Sequence, residues 1–169
     1  MEEIFERRSV RTFLDQPVEP EKVELLLRAA MAAPSAGNQR EWRLIAVTER
    51  RLLEELSRVS PYAGCAANAP LAVVVLGDLS GMDHPDFWEQ DLAACTQNLL
   101  LEAVHLGLGA VWLGIAPLQE RMEKVSGLFG LPETVRPFAV VAAGYPAKPP
   151  VPKDRWEPQK AFYNGYHVR

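Results

Sequence analysis

The sequence predicts one globular domain of the mixed helix-and-strand class, on three observations. A chain of 169 residues is about the size of a single domain. Hydrophobic residues at 48% and charged residues at 24% are typical of a soluble protein with a packed core. Helical and strand patterns alternate along the chain without an internal repeat. We therefore expect one domain over residues 1–169.

The first half of the chain predicts two helices around a loop and a strand. Pro20 suits the first turn of a helix, and apolar residues recur with helical spacing up to Pro34. Residues 34–39, with Pro, Ser, Gly and Asn in succession, predict a loop. Trp42–Thr48 reads as a buried strand, and residues 50–59 form an amphipathic helix whose inward side chains are Leu52, Leu53 and Leu56.

The second half predicts a long buried helix among three strands. Leu71–Gly77 is an apolar, β-branched run bounded by Pro70, which predicts a strand. Residues 87–106 form a helix that is apolar on most sides and is therefore expected at the centre of the fold or at a subunit interface. A strand over 107–114, a short helix over 119–130 and a fourth strand over 135–145 follow.

The last stretch of the chain predicts an extended tail that docks on another surface. Five prolines favour extended backbone after residue 145. A tail that stayed in water would not normally carry Trp156, Phe162, Tyr163 and Tyr166. The tail packs either on its own domain or, as we prefer, as an arm on a second subunit.

Composition and motifs exclude several function classes. A net charge of −4 and a pI near 5.4 argue against nucleic-acid binding. The first residues lack the apolar segment of a signal peptide and no apolar run reaches membrane-spanning length, which predicts a cytoplasmic protein without a membrane partner. Cys65, Cys95 and the three histidines show no metal-ligand spacing, so no metal and no disulfide are expected.

No catalytic signature is present, so a cofactor is expected to carry any reaction. Two basic clusters stand at opposite ends of this acidic chain: Arg7, Arg8 and Arg11, then Lys153 and Arg155. In an extended segment Arg7, Ser9 and Arg11 would face one way and Val10 the other. Such a set suits a phosphate monoester, and ordinary surface charge is the alternative.

Four motifs occur in an order that resembles a known family. They are "RRSVRTF", "APSAGNQREW", "AACTQNLLLEAVHLGLGAVWLG" and "GYPAKPPVPKDRW". Together they resemble the short members of the FMN-dependent nitroreductase family over nearly the whole chain. The resemblance implies an α+β fold with a mixed β-sheet flanked by helices. It also implies a homodimer with FMN at the interface and residues 146–169 as an arm crossing to the partner.

The resemblance also assigns site residues. It gives the FMN phosphate and ribityl chain to Arg7, Arg8, Ser9 and Arg11, with Lys153 and Arg155 completing the phosphate site. It places the loop of Pro34, Ser35, Ala36 and Asn38 against the flavin ring of the other subunit. It lays the strand end of Trp112, Leu113, Gly114 and Ile115 along the ring, where a backbone N–H near Gly114 or Ile115 would bond flavin N5. For Trp112 and Leu113, ordinary core packing is the alternative.

One segment departs from the family pattern. The family commonly has Asn-x-Gln-Pro-Trp in the loop, whereas this chain has "NQREW", with Arg40 and Glu41 in place of glutamine and proline. The loss of proline is expected to loosen the entry to the strand and to affect substrate choice. Phe87 or Trp88 is a candidate aromatic lid, with packing at the helix start as the alternative.

The function implied is an oxidoreductase that uses NADH or NADPH to reduce a nitroaromatic, a quinone or a related conjugated electrophile by a ping-pong mechanism. No catalytic side chain is expected, because the flavin carries the chemistry. Three alternatives stay open. One is a specialised flavin reaction such as reductive dehalogenation, and another is an FMN-binding or redox-sensing module without turnover. The third is an α+β dimer that binds no flavin but a nucleotide or sugar phosphate.

Overall fold

The structure, a computed structural model, describes residues 2–166. Five α-helices and four β-strands alternate along this part of the chain. The helices are α1 (Glu3–Glu6), α2 (Pro20–Met31), α3 (Arg50–Leu56), α4 (Trp88–His105) and α5 (Gln119–Phe129). The strands are β1 (Trp42–Val47), β2 (Leu71–Asp78), β3 (Gly109–Gly114) and β4 (Val135–Gly144).

The strands form one sheet in the order β1-β2-β4-β3, and every pair of neighbouring strands is antiparallel. Within residues 2–166 the parallel pairing is a single bridge between Ser9 and Ala110 at the outer edge of β3. The predicted α+β class is therefore confirmed. The parallel component of the expected mixed sheet is limited to that bridge.

The sheet is the middle layer of three. One face packs against α2 and α4 through side chains such as Val73, Val141 and Leu99. The other face packs against α3 and α5 through Val74, Val140 and similar side chains. Because β2 and β4 are covered on both faces, their sequences are continuous apolar runs instead of alternating ones.

A bulge in β4 shapes the end of β3. The register between β2 and β4 shifts after Val75, so Phe138 is the extra residue between Pro137 and Ala139. The Phe138 carbonyl accepts two hydrogen bonds, from the backbone N–H groups of Ile115 (3.2 Å) and Ala116 (3.0 Å). The bulge thus fixes the backbone immediately after β3.

The predicted helices and strands are all present, with ends that differ by a few residues. The 3-10 turns at Ala36–Asn38, Gly64–Asn68 and Pro85–Phe87 and the short α1 were not predicted. Leu53 and Leu56 are buried as expected, whereas Leu52 is only half-buried. None of the helices within residues 2–166 combines the length and the apolar character needed to span a bilayer.

Helix α4 is buried on one side and half-exposed on the other. Leu92, Cys95, Leu99 and Ala103 are fully buried against the sheet and α2. On the outer side a groove of about 380 Å³ is lined by residues of α1, α2 and α4, including Ile4 and Leu101. The domain core therefore covers one side of this helix, and a subunit interface over the other side stays a prediction.

The tail is extended, as predicted, apart from a 3-10 turn at Pro158–Lys160. The first residues of the tail contact the rest of the domain, where the Ala147 N–H donates to the Thr12 carbonyl at 3.0 Å. Further along, Trp156 is 67% exposed and Tyr163 is 84% exposed. Residues 167–169 of the predicted arm lie outside the described residues.

Two glycines differ sharply in the space around them, which gives a test of the packing. A Cβ atom at Gly144, at the end of β4, would lie 2.5 Å from two ring carbons of Pro70. We expect Gly144→Ala to lower the free energy of unfolding by about 1–3 kcal/mol, because neither backbone nor proline ring can move freely. Urea denaturation measures the change.

Gly127→Ala is the matched control. Gly127 lies within α5, and a Cβ atom there would meet nothing within 4 Å. This variant should be as stable as the original protein or more stable by up to about 1 kcal/mol, because alanine favours helix. Equal losses in the two variants would contradict the packing described for Gly144.

Candidate functional site

Three arginines from both ends of the described chain lie near one another. Arg7, directly after α1, is half-buried, and burial together with the positive charges of Arg155 and Arg8 lowers the pKa of its guanidinium. Within residues 2–166, neither Arg7 nor Arg155 forms an ion pair with a carboxylate. Uncompensated like charges held together favour the binding of an anion between them.

Arg8 has a different role from its neighbours. Its guanidinium donates to the carbonyls of Val151 (3.0 Å) and Lys153 (2.8 Å) in the tail. It also donates to the carbonyls of Phe5 and Arg7. Four of its five N–H donors are thus engaged, so in this structure Arg8 mainly fastens the tail beside Arg7.

The bridge to β3 holds the segment after Arg8. The Val10 N–H donates to the Ala110 carbonyl at 3.0 Å, and the Val10 side chain packs on Gly109. Val10 is buried and Ser9 is exposed, as the predicted alternation requires. This anchor fixes the position of Arg7 and Ser9 relative to the edge of the sheet.

Arg11 lies in a separate cleft. It lines a cleft of about 670 Å³ together with Asp15, Arg50 and Glu54. Burial raises the pKa of the Cys65 thiol, and the positive charge of Arg11 partly opposes that rise. The structure therefore brings Arg7, Arg8 and Arg155 together and places Arg11 on the side of α3.

The open edge of β3 presents an outward backbone N–H at Gly114. The Ile115 N–H donates to Phe138 in β4, so alternate residues of this antiparallel strand direct their backbone groups to opposite sides. Ala110 already bonds Val10 at the outer edge, and Gly114 is four residues further on the same side. Of the two predicted donors, Ile115 is engaged within the sheet and the Gly114 N–H points outward.

Arg121 lies beside Gly114 and was not predicted. Its guanidinium donates to the Gly114 carbonyl at 2.8 Å and lies 5.9 Å from the centre of the Tyr62 ring. No motif indicates this residue. The available signal was its place in the first turn of α5, which directs its side chain back toward the end of β3.

The side chains around the strand end divide between the two faces of the sheet. Trp112 is half-buried and packs edge-on against Phe138, with ring centres 5.5 Å apart. Leu113 and Ile115 are 4% and 0% exposed in the core of the opposite face. Core packing, the alternative interpretation for Leu113, therefore describes its side chain in this chain.

The loop of residues 34–40 is tightly ordered by its own hydrogen bonds. The Ser35 hydroxyl accepts the Arg40 N–H at 3.0 Å, and the Ser35 carbonyl accepts the Asn38 N–H at 2.9 Å. The Ala36 N–H donates to the Asp91 carboxylate of α4. Pro34 and Asn38 are exposed and Ala36 is half-buried, so this loop presents both polar and apolar groups at the surface.

The segment before α4 is fastened to that loop. The Gln39 amide donates to the His84 carbonyl and accepts the His84 N–H, both at 3.2 Å. Phe87 is 45% exposed, whereas Trp88 packs edge-on against Phe138. Of the two candidate lid residues, Phe87 is the one that presents its ring at the surface.

The basic residues of the tail are both exposed. Lys153 is held through its carbonyl by Arg8, which leaves its side chain in solvent. Arg155 is close enough to Arg7 for their charges to interact. The two basic clusters were expected to form one site, and in the structure Arg7 and Arg155 do lie near each other.

Comparison with known proteins identifies the family. The sequence profile described as the Nitroreductase family matches residues 4–62 and 58–145. The chain belongs to the nitroreductase family. A family member from Methanothermobacter thermautotrophicus, provisionally named NADH dehydrogenase/NAD(P)H nitroreductase, is 43% identical over 160 residues, covering 95% of this chain and 84% of that protein.

Solved structures of nitroreductase-family relatives share the fold. The crystal structure of a protein from Clostridium acetobutylicum, provisionally named NADH oxidase, has a TM-score of 0.95 and 44% identity, covering 97% of this chain and 99% of that chain. A provisionally named nitroreductase from Desulfovibrio desulfuricans, solved in complex with FMN, has a TM-score of 0.83 and 28% identity, covering 98% and 96%.

The two cysteines of this family member should differ in reactivity. Burial, with the negative charge of Glu41, raises the pKa of the Cys95 thiol to about 12, and the side chain is 0% exposed. Cys65 is only half-buried. At pH 8 we expect a chromogenic disulfide reagent to modify one thiol per folded chain and two after unfolding, because the thiolate is the reactive form.

Cys65→Ser should abolish the reaction of the folded chain, and Cys95→Ser should leave it unchanged. Rapid modification of Cys95 in the folded protein would contradict the burial described for α4.

Proposed function

We propose that this chain is an FMN-dependent oxidoreductase that uses NADH or NADPH to reduce conjugated electrophiles such as nitroaromatics and quinones in two successive half-reactions. The observation that carries the proposal is the cluster of uncompensated arginines beside the open edge of β3. Local positive charge and the outward Gly114 N–H thus lie along the same edge strand of an otherwise acidic protein. The names of relatives, among them an NADPH-dependent FMN reductase from Bacillus subtilis, support this choice of cofactor.

The residues present fit a flavin mononucleotide. Arg7 and Arg155 would hold the phosphate, because guanidinium groups match its oxygens in geometry and charge. Ser9, exposed beside them, adds a hydroxyl donor. Arg8 contributes indirectly, because it fixes the tail that carries Lys153 and Arg155.

The end of β3 would orient the ring. The outward N–H of Gly114 is a donor suited to flavin N5, and Arg121 keeps a positive charge on the same side of the strand, 2.8 Å from the Gly114 carbonyl. Such fixed charge favours a reduced, more negative ring over an oxidised one. When bound, FMN would supply the chemistry of accepting hydride from the nicotinamide and passing electrons to the acceptor.

The protein then needs to supply orientation and electrostatics instead of an acid or a nucleophile. The exposed Asn38 side chain and the Phe87 ring lie on the loop and the segment that Gln39 joins, and they are candidates for contacts with the acceptor. Asn38 offers a small polar group and Phe87 an aromatic ring, and this combination suits flat, conjugated molecules.

A homodimer completes the proposal. The groove over α4, with Ile4 at 49% exposure and Leu101 half-buried, leaves an apolar face uncovered on the single chain. The exposed aromatic rings of the tail form a second such surface. Two chains joined through these surfaces would bring the loop of residues 34–38 to the partner's flavin.

The first test is the visible absorption spectrum of the purified protein, before and after it is mixed with FMN and freed of unbound flavin. We expect about one flavin per chain and steady oxidation of NADH or NADPH when a quinone or nitroaromatic is present. Bound flavin without turnover would favour the redox-sensing alternative. A protein that binds no flavin would refute the proposal.

The second test concerns the phosphate site. Each charge-assisted hydrogen bond contributes about 1.5–3 kcal/mol, so Arg7→Ala combined with Arg155→Ala should raise the Kd for FMN at least about 100-fold. Arg51→Ala, which removes an exposed arginine of α3 paired with Glu49, is the control and should leave the Kd unchanged. Circular dichroism checks the fold. An unchanged Kd in the folded double variant would refute the phosphate assignment.

A further inference from the structure

A buried acid lies where the loop of residues 34–40 enters β1. Glu41 is 4% exposed, and neither of its carboxylate oxygens accepts a hydrogen bond from an N–H or hydroxyl donor among residues 2–166. Burying an ionised carboxylate without a partner is strongly unfavourable, so such a group tends to keep its proton. Glu41 is also one of the two residues that replace the usual Gln-Pro of the family motif, so the motif gives no role for it.

A second buried acid, Asp91, lies next to it. Asp91 is 7% exposed in the first turn of α4. It accepts the Ala36 N–H at 3.0 and 3.1 Å through its two oxygens, and the Gln39 side-chain amide at 3.0 Å. The neighbouring carboxylate of Asp91 favours a protonated Glu41.

The other titratable groups around Glu41 do not neutralise it. Cys95, one turn further along α4, interacts with the Glu41 charge through its own buried thiol. His84 contacts the loop at Gly37, and Asp78 donates its N–H to the Glu41 carbonyl while its carboxylate pairs with Arg43. Burial first, and then the charge and hydrogen bonding of Asp91, raise the pKa of Glu41.

The segment that Asp91 holds needs an external anchor. Gly37, Asn38 and Arg40 have φ angles of 57°, 55° and 51°, and positive φ is unfavourable for the two residues that are not glycine. Gln39 joins this segment to both Asp91 and His84. The conformation of the loop therefore depends on the carboxylate of Asp91.

We propose that Glu41 and Asp91 share one proton and together act as a latch that keeps residues 35–41 fastened to α4. Loss of that proton leaves two adjacent buried negative charges, which repel each other and separate the start of β1 from α4. Glu41 is then a positioning residue. Its importance for the cofactor rests on the proposed function, in which residues 34–38 lie against the flavin.

The latch has a defined pH dependence. Because the pKa of Glu41 is raised in the folded state above its ordinary value of 4.5, the stabilisation is fully present below that ordinary value. It is lost as the pH rises through the raised pKa, since the folded protein binds more protons than the unfolded chain in this interval. The contribution of Glu41 to stability therefore declines with increasing pH.

The first experiment compares thermal unfolding of the purified protein and the Glu41→Gln variant from pH 5 to pH 9. Glutamine keeps the shape of protonated glutamate and cannot ionise. We expect the melting temperature of the variant to fall less with rising pH than that of the original protein. At pH 9 the variant should melt about 3 °C above the original protein. Glu133→Gln, which replaces an exposed acid, is the control, and its melting temperature should change with pH as that of the original protein does. Parallel curves for Glu41→Gln would overturn the proposal.

The second experiment observes the latch directly and does not depend on a flavin. Exchange of the Ala36 amide is followed by NMR, with rates corrected for the intrinsic effect of pH. We expect protection of this amide to fall at least about tenfold more between pH 6 and pH 9 in the original protein than in Glu41→Gln. Equal changes in the two proteins would overturn the proposal.

The third measurement links the latch to the cofactor. The affinity for FMN should weaken with rising pH in the original protein and stay nearly constant in Glu41→Gln. If neither protein binds FMN at any pH, the proposed function fails, and the amide exchange still decides the latch. If both bind FMN with the same pH dependence while the exchange data support the latch, the link to the flavin is wrong.

Discussion

The structure depends on two central strands that are buried on both faces. Covering β2 and β4 from both sides requires α2 and α4 on one face and α3 and α5 on the other. Hydrophobic burial of this extent is the main source of stability in a domain of this size. It leaves few positions in the middle of the sheet for polar groups, so polar chemistry is confined to the edges.

Each edge of the sheet uses this arrangement differently. At the β3 edge, the bulge at Phe138 draws in the backbone after the strand and leaves Gly114 facing outward. At the β1 edge, the loop before the strand is held by a carboxylate from α4. The first arrangement presents a backbone donor on the frame of the sheet, and the second presents a loop in an unusual conformation that a buried carboxylate helps to hold.

Much of the fold was predictable from the sequence because its signals are local. The periodicity of α2 and α4 and the apolar runs of β2 and β4 each depend on neighbouring residues alone. The short α1 and the 3-10 turns were not predictable because they have no repeated pattern. What covers the outer face of α4 was not predictable, because composition gives the fraction of apolar surface and not what lies against it.

The candidate site was only partly predictable, for a different reason. The basic motifs at both ends of the chain indicated a shared location for Arg7 and Arg155, which lie close together in the structure. They did not indicate that Arg8 would donate to main-chain carbonyls of the tail, or that Arg11 would lie in another cleft. Arg121 and the Glu41 and Asp91 pair depend on contacts between residues distant in sequence. Such contacts appear only when the register of the sheet and the packing of α4 and α5 are known.

Arg8 holds the tail through main-chain atoms, and this affects which substitutions related chains can tolerate in the tail. The acceptors at Val151 and Lys153 are main-chain oxygens, which every amino acid provides in the same place. Substitution of either side chain leaves the contact in place, so the path of the tail and the identity of its residues are separate properties. A chain of this design can change what its tail recognises without changing where the tail runs.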